Sequence, residues 1–148
     1  MSPAATARLL VAGQFGALAV WAVSGPLGAP TPVLLAVQAV GLSLGLWAAL
    51  WMSARQRRRF SVSPLPDAHE RLVTDGPYRW IRHPMYTAVL AVVLPAALTG
   101  PVPSVVAGVA LAIVLLIKYR FEDRLLAARF PDFDAYRRRT GALLPGIG

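Results

Sequence analysis

The chain contains no cysteine, and two long stretches of it, residues 9–52 and 84–117, contain no charged residue. Without cysteine there is no disulfide framework and no thiolate chemistry. Acidic residues are also scarce, seven against fifteen lysines and arginines, and all seven lie outside the uncharged stretches. A small four-helix transporter fits the length of the chain, but coupled transport depends on acidic groups inside the membrane, so we disfavour that class.

The chain is strongly apolar. Of its 148 residues 56% are hydrophobic and 15% are charged, and the mean hydropathy is +0.55, which is unusual for a soluble domain. The net charge of +8 would suggest nucleic acid for a soluble protein. Here, however, most basic residues flank the apolar stretches, where they act as anchors at the membrane surface. We predict one integral-membrane domain over residues 1–148 that contacts membrane lipids and no nucleic acid.

Each uncharged stretch is interrupted once by glycine and proline, at residues 25–32 and 99–103. A bilayer core about 30 Å thick needs roughly 20 helical residues. The first stretch therefore gives spans near 9–24 and 33–52, and we expect the first to remain a span rather than be removed as a signal peptide. The second gives a short hairpin with helices near 85–98 and 104–117. The pattern predicts an all-α bundle of about four transmembrane helices, followed by cytoplasmic C-terminal helices.

The basic residues also predict the orientation of the chain. Both uncharged connections lie on one side of the predicted membrane, and the three basic segments lie on the other. The positive-inside rule then puts both termini and residues 53–83 in the cytoplasm, with the protein in the cytoplasmic membrane.

Residues 75–86 read D-G-P-Y-R-W-I-R-H-P-M-Y and hold the best candidates for chemistry. Gly76 and Pro77 predict a turn. Pro84 is compatible with the first turn of a helix, so we expect the third helix to begin there. Arg82 and His83 would then lie at a helix N-terminus, where free amides and the helix dipole favour a carboxylate or a phosphate.

The C-terminal part completes this arrangement. The two hairpin helices are antiparallel and similar in length, so residues 82–86 and 120–123 should be neighbours. Phe130 and Pro131 predict the end of the fourth helix, and Asp132 predicts the cap of another. Residues 143–146 predict a closing turn.

An ordered set of motifs carries a family resemblance. G-P-Y-R at 76–79 is followed by R-H-P-x-Y at 82–86, E-D-x-x-L-x-x-x-F at 122–130, Tyr136, and L-P at 144–145. In this order and spacing the set resembles the isoprenylcysteine carboxyl methyltransferase family, which is related to membrane phospholipid methyltransferases. The sequence departs from the pattern at Ala88 and Pro131, where many members have glycine, and at Asp123, where they have a second glutamate.

The resemblance implies a methyltransferase that uses S-adenosylmethionine, lacks a Rossmann fold, and holds its cofactor between the hairpin and residues 118–148. It implies no metal. Carried over residue by residue, the cofactor-binding residues are Tyr78, Arg82, His83, Pro84, Tyr86 and Glu122. Arg120 lies outside the motifs, and we expect it to act with Glu122 as a catalytic residue. Arg82 and His83 suit the cofactor's carboxylate, and Glu122 suits its ammonium or ribose diol. Tyr78, Trp80 or Tyr86 could pack on its adenine.

The expected substrate is a lipid-like or prenylated molecule that enters from the bilayer, either a prenyl-cysteine-like carboxylate or a lipid head group. Arg120 would orient a carboxylate, whereas an amine would need Glu122 or Asp123 to accept a proton. Several alternatives stay open. The arginines could be membrane anchors and the aromatics an interfacial belt. The chain could also be a catalytically silent relative that acts as a scaffold, and the sequence leaves the oligomeric state undetermined.

Overall fold

The computed structural model describes residues 2–24, 31–56 and 71–147. In these ranges the chain forms five α-helices and one 3₁₀ helix, and no strand. They are α1 (Pro3–Val23), α2 (Pro32–Gln56), the 3₁₀ helix (Gly76–Arg79), α3 (Pro84–Leu98), α4 (Val102–Arg129) and α5 (Phe133–Arg139). Most of the predicted break at 25–32 lies outside the described residues.

The apolar helices confirm the predicted all-α membrane bundle. The helices α1, α2 and α4 are long and apolar enough to cross a membrane, and α3 is a shorter apolar helix. The helix α1 begins at Pro3, earlier than the predicted span, because the Ser2 hydroxyl accepts a hydrogen bond from the Ala5 amide and caps it. The helix α4 continues past the predicted span to Arg129. One continuous helix therefore contains both the second apolar segment of the hairpin and the acidic pair Glu122 and Asp123.

The helices α3 and α4 form the centre of the bundle, with α2 packed on α3 and α1 packed on α4. The buried core of the hairpin consists of Val93, Leu111 and Leu115, and α1 contributes Leu18 and Trp21 to it. The outer faces of α1 and α2 instead expose many large apolar side chains, which suits contact with lipid.

Small residues set the distance between α2 and α3. A Cβ atom added at Gly41 would lie 2.8 Å from the Cβ of Ala91, and one added at Gly45 would lie 2.9 Å from the Cβ of Ala88. Close approach of helix backbones through small residues is a common way to pack helices in membranes. Ala88, one of the positions where the sequence departs from the family motifs, therefore lies in the interface between α2 and α3.

The predicted turn at Gly76 is confirmed and is seated on the end of α2. Gly76 has a φ of +59°, and a Cβ atom there would lie 2.3 Å from the indole of Trp51. The Trp51 Nε1–H donates to the Asp75 carboxylate at 3.1 Å, and Arg55 forms an ion pair with the same carboxylate. Glycine is required here because the backbone is left-handed and the indole fills the space of a side chain.

The chain after α4 returns to the loop that precedes α3. The helix α5 begins at Phe133, directly after the predicted cap, but the Asp132 side chain makes no capping hydrogen bond. That part of the prediction is wrong: Asp132 has helical φ and ψ values, −83° and −1°, rather than the extended ones of a typical cap. The closing turn is confirmed, with Gly146 at a φ of +74°.

The C-terminal segment pairs with the loop through backbone hydrogen bonds. The amides of Arg82 and His83 donate to the carbonyls of Gly141 and Ala142 at 2.9 and 3.0 Å. The Gly141 amide donates back to the Trp80 carbonyl at 3.1 Å. This short parallel pairing, centred on Ile81 and Gly141, fixes the R-H-P motif against the C-terminal segment.

Candidate active site

His83 lies between two carboxylates that neighbouring residues of α4 provide. It precedes Pro84, the first residue of α3, and its side chain is 5% exposed. Its Nε2 atom lies 2.8 Å from Oδ1 of Asp123, and its Nδ1 atom lies 3.6 Å from Oε2 of Glu122. The predicted meeting of residues 82–86 with residues 120–123 is confirmed by these distances.

Tyr86 joins the same group from the first turn of α3. Its hydroxyl donates to Oε2 of Glu122 at 2.8 Å, and its ring stacks on the His83 imidazole with centroids 5.3 Å apart and planes 3° apart. The Glu122 side chain is 26% exposed, whereas that of Asp123 is 8% exposed. Consecutive helical residues project about 100° apart. One carboxylate therefore faces outward and the other faces the loop.

Arg82 is a buried link between the acidic pair and the C-terminal segment. Its side chain is 2% exposed, and its Nε atom lies 3.4 Å from Oδ2 of Asp123. One of its terminal nitrogens donates to the carbonyls of Arg137 and Thr140, at 3.1 and 2.5 Å. A cofactor carboxylate at Arg82 would have to share its guanidinium with these bonds.

The other predicted site residues surround this group at different depths. Tyr78 is buried, and its carbonyl accepts a hydrogen bond from the Tyr136 hydroxyl at 2.6 Å. Burial raises the pKa of the Tyr136 phenol above its ordinary value. Arg120 is exposed at the outer edge, where its guanidinium carbon lies 5.8 Å from the ring centroid of Tyr119. The Tyr119 ring in turn lies 5.6 Å from the His83 ring, so Arg120 reaches the group through an aromatic side chain.

Two residues near this site were not predicted from the sequence. Lys118 is fully buried, and its Nζ atom donates to Oε1 of Gln14, in α1, at 2.6 Å. The same Nζ atom lies 5.1 Å from the ring centroid of Tyr86. The available signals were the spacing of Lys118 one turn before Glu122 and the position of Gln14, the only amide side chain in α1.

The described residues lack a three-residue metal cluster and form a concavity beside α5. They contain no group of three histidine or acidic side chains that could hold a metal ion. An open basic concavity of about 430 Å³ lies beside α5, lined by Asp134, Arg137, Arg138, Arg139, Thr140 and Gly146. None of the residues of the His83 group lines it.

The fold and the site together define a helical membrane protein with a polar site at one end of its central hairpin. The family model for phospholipid methyltransferases matches residues 33–132. The chain belongs to this family of membrane methyltransferases, which confirms the resemblance drawn from the motifs. The match includes α2, which hydropathy alone had assigned, and excludes α1.

Two curated relatives are similar to most of the chain. The cobalt-zinc-cadmium resistance protein CzcN of Cupriavidus metallidurans is 37% identical over 123 residues, which cover 79% of this chain and 51% of that protein. The nickel-cobalt-cadmium resistance protein NccN of Alcaligenes xylosoxydans is 34% identical over 122 residues, which cover 77% and 51%. The chain spans about half the length of these relatives. No solved structure matches it.

Proposed function

We propose that this protein is an S-adenosylmethionine-dependent methyltransferase that acts on a membrane-embedded amphiphile. The observation that carries the proposal is the group formed by His83, Tyr86 and Glu122, three residues of the motifs from which we expect a methyl-transfer site. The Glu122 carboxylate has one oxygen fixed by the Tyr86 hydroxyl, yet its side chain stays partly exposed. A carboxylate that is both oriented and accessible is suited to a ligand.

The residues of this group fit the cationic part of S-adenosylmethionine, which carries a sulfonium and an ammonium. Carboxylates and aromatic faces both attract cations in partly desolvated sites. Glu122 would hold the ammonium, and the Tyr86 and Tyr119 rings supply aromatic faces beside it. Arg120 is exposed next to Tyr119, where it would be available to a substrate carboxylate. When bound, the cofactor supplies an activated methyl group on a good leaving group.

The chain's own contribution is alignment and the exclusion of water. Good alignment of reacting groups supplies on the order of 7–11 kcal/mol of a reaction barrier. Asp123 holds His83 in place, and the His83 ring stacks on Tyr86, whose hydroxyl orients Glu122. A carboxylate substrate would lose no proton, and Arg120 would orient it. An amine substrate would need an acceptor, and Glu122 suits this better than Asp123, which His83 and Arg82 already engage.

The apolar surroundings support an amphiphile as substrate. The large apolar side chains on the outer faces of the bundle suit lipid, and an isoprenoid or acyl tail could remain in the bilayer while the head group reaches Arg120. The names of the two relatives concern metal resistance. For this chain we propose modification of a membrane molecule, because the family match and the oriented Glu122 carboxylate support methyl transfer.

Binding of S-adenosylmethionine to purified protein in detergent tests the proposal. We expect the parent to bind and His83→Ala and Glu122→Ala to bind more weakly, with Arg124→Ala as an exposed control from the same helix. Absence of binding by the parent would support a catalytically silent scaffold instead.

A second experiment follows the methyl group from radiolabelled cofactor in native membranes. The label should enter the organic-extractable fraction, and less of it should do so with Arg120→Ala. Label found only in water-soluble products would rule out the amphiphile.

The orientation belongs to the same proposal, because the site must face the cytoplasm to receive the cofactor. We propose that both termini and residues 53–83 are cytoplasmic. Because the chain has no cysteine, single cysteines at positions 28, 60 and 100 can be labelled with an impermeant thiol reagent in intact cells. Positions 28 and 100 should react and position 60 should not. Labelling at 60 without labelling at 28 would reverse the topology.

A further inference from the structure

A buried polar contact between Gln14 in α1 and Lys118 in α4 lies beside the proposed site and has no role in the mechanism above. Lys118 has no solvent exposure, and its Nζ atom lies 2.6 Å from the Oε1 atom of Gln14, which is itself 7% exposed. Gln14 lies in the middle of α1, and 104 residues separate the two partners. The family match begins only at residue 33, so Gln14 lies outside it.

The burial of Lys118 is inconsistent with a simple membrane anchor. An anchoring lysine extends its stem so that its charged end reaches water at the membrane boundary. The Lys118 ammonium instead remains inside, which is costly unless nearby groups compensate for it. Ionisable side chains inside apolar helices are retained where they have a function. The groups that compensate Lys118 are the Gln14 amide, the Tyr86 ring and, one helical turn further on, Glu122.

Tyr86 connects this pair to the proposed site. The Lys118 ammonium lies 5.1 Å from the Tyr86 ring centroid, within the range of a cation–π contact. The Tyr86 hydroxyl donates to Glu122 at 2.8 Å. Lys118 therefore contacts the residue that orients the partly exposed carboxylate, and Gln14 holds Lys118 there.

We propose that Gln14 and Lys118 are positioning residues of the methyl-transfer site, which makes α1 part of that site. Gln14 fixes the Lys118 ammonium against Tyr86, and Lys118 keeps the Tyr86 hydroxyl on Glu122. Neither residue contacts the substrate. This inference rests on the proposed function, and it adds a helix that the family motifs do not include.

The test compares two intramembrane glutamines. Gln14→Leu removes the partner of Lys118, whereas the control Gln38→Leu removes a glutamine whose Nε2 atom donates to the Val92 carbonyl, between α2 and α3, at 3.0 Å. Lys118→Met, Lys118→Arg and the double variant Gln14→Leu/Lys118→Met complete the set. Thermal unfolding in detergent, S-adenosylmethionine affinity, and the rate of methyl transfer into native membrane lipids at saturating cofactor are measured for each.

We expect Lys118→Met to lower the rate at saturating cofactor by about tenfold or more, as coupling between contacting residues in one network allows. Gln14→Leu should lower the rate less, and the double variant should match Lys118→Met, because Gln14 acts through Lys118. The cofactor concentration at half-maximal rate should change little, and Gln38→Leu should transfer like the parent. Lys118→Arg, which keeps the charge, should recover part of the rate.

Three results separate the possible failures. If Gln14→Leu and Gln38→Leu lose stability alike and both transfer methyl groups at the parent rate, Gln14 only packs α1 and the inference is overturned. If the losses from Gln14→Leu and Lys118→Met are additive in the double variant, Gln14 does not act through Lys118, and the inference is again overturned. If the parent itself binds no S-adenosylmethionine, the proposed function fails first. Should Lys118→Met not fold, Gln14→Leu and Lys118→Arg still decide.

Discussion

The two halves of the site use neighbouring carboxylates in opposite ways. In the closed half, Asp123 is 8% exposed and is engaged by His83 and Arg82, and Arg82 holds the C-terminal segment. In the open half, Glu122 is 26% exposed and has Tyr86 as its hydrogen-bond donor. Under the proposed function, we expect the closed half to act as a frame and the open half to present its groups to a ligand. Substitutions in the two halves should separate stability from function.

The largest expected effect is the loss of the frame in Asp123→Ala. This change removes the carboxylate that Arg82 and His83 share, and removing one partner of a buried ion pair costs about 3–5 kcal/mol of folding free energy. Chemical unfolding in detergent measures it. Glu122→Ala, one residue away, is the matched control and should lose far less stability. Equal losses in the two variants would remove the distinction between the halves.

The next effect belongs to the open half. Glu122→Ala should weaken S-adenosylmethionine binding by about 1–3 kcal/mol, because a charged group of the ligand would lose its partner in a shielded site. Isothermal titration on detergent-solubilised protein gives the affinity. Arg124→Ala, an exposed change in the same helix, should bind like the parent. If Glu122→Ala binds as tightly as the parent, the carboxylate does not face the cofactor.

High pH should lower the folding stability of the protein through Tyr136, which lies in the C-terminal segment that Arg82 holds. Burial raises the pKa of this phenol, whose hydroxyl donates to the Tyr78 carbonyl. Above the ordinary tyrosine pKa of about 10 the unfolded chain ionises while the folded phenol keeps its proton, so stability falls by up to about 1.4 kcal/mol per pH unit. Below that pH this group gives no dependence. Unfolding between pH 9 and pH 11 should show a shallower alkaline loss in Tyr136→Phe, and identical slopes would contradict the assignment.

The smallest effect comes from a single bond between α3 and the C-terminal segment. The Thr87 hydroxyl donates to the Leu143 carbonyl, so Thr87→Val should cost about 0.5–1.5 kcal/mol of stability and leave cofactor affinity unchanged. Thr99→Val is the control, because its hydroxyl bonds only within the last turn of α3, to the carbonyls of Pro95 and Ala96. A drop in cofactor affinity for Thr87→Val would mean that the two halves are not independent.

The sequence predicted the helices and the meeting of the motifs because both follow from local signals. Pro84 begins α3 as its missing N–H allows, and the length of the hairpin brings His83 back to residues 122 and 123. Local signals did not predict which carboxylate is buried. Glu122 and Asp123 are adjacent in α4 and project about 100° apart. Which of the two side chains is buried depends on where the C-terminal segment packs, and the sequence does not give that position.

Long-range polar pairing was the part that the sequence did not predict. The ladder between residues 80–83 and 141–142 is too short to have a hydrophobic period. Lys118 directly follows an apolar run, a position typical of a membrane anchor, but the structure buries it on Gln14. A single polar residue in an apolar helix does not indicate which residue it will bind. The contact between Gln14 and Lys118 could be identified only from the packing of α1 on α4.

The pairing of Gln14 with Lys118 also constrains how the chain can be made. The two partners are 104 residues apart, and at the usual 5–20 residues per second the ribosome needs on the order of 5–20 s to make the second after the first. During that interval α1 is present without the Lys118 side chain that the Gln14 amide binds, and α4, against which α1 packs, is absent or incomplete. Docking of α1 on its partner helix must therefore wait until α4 has been made, and a nascent chain arrested before residue 118 would leave Gln14 without its partner.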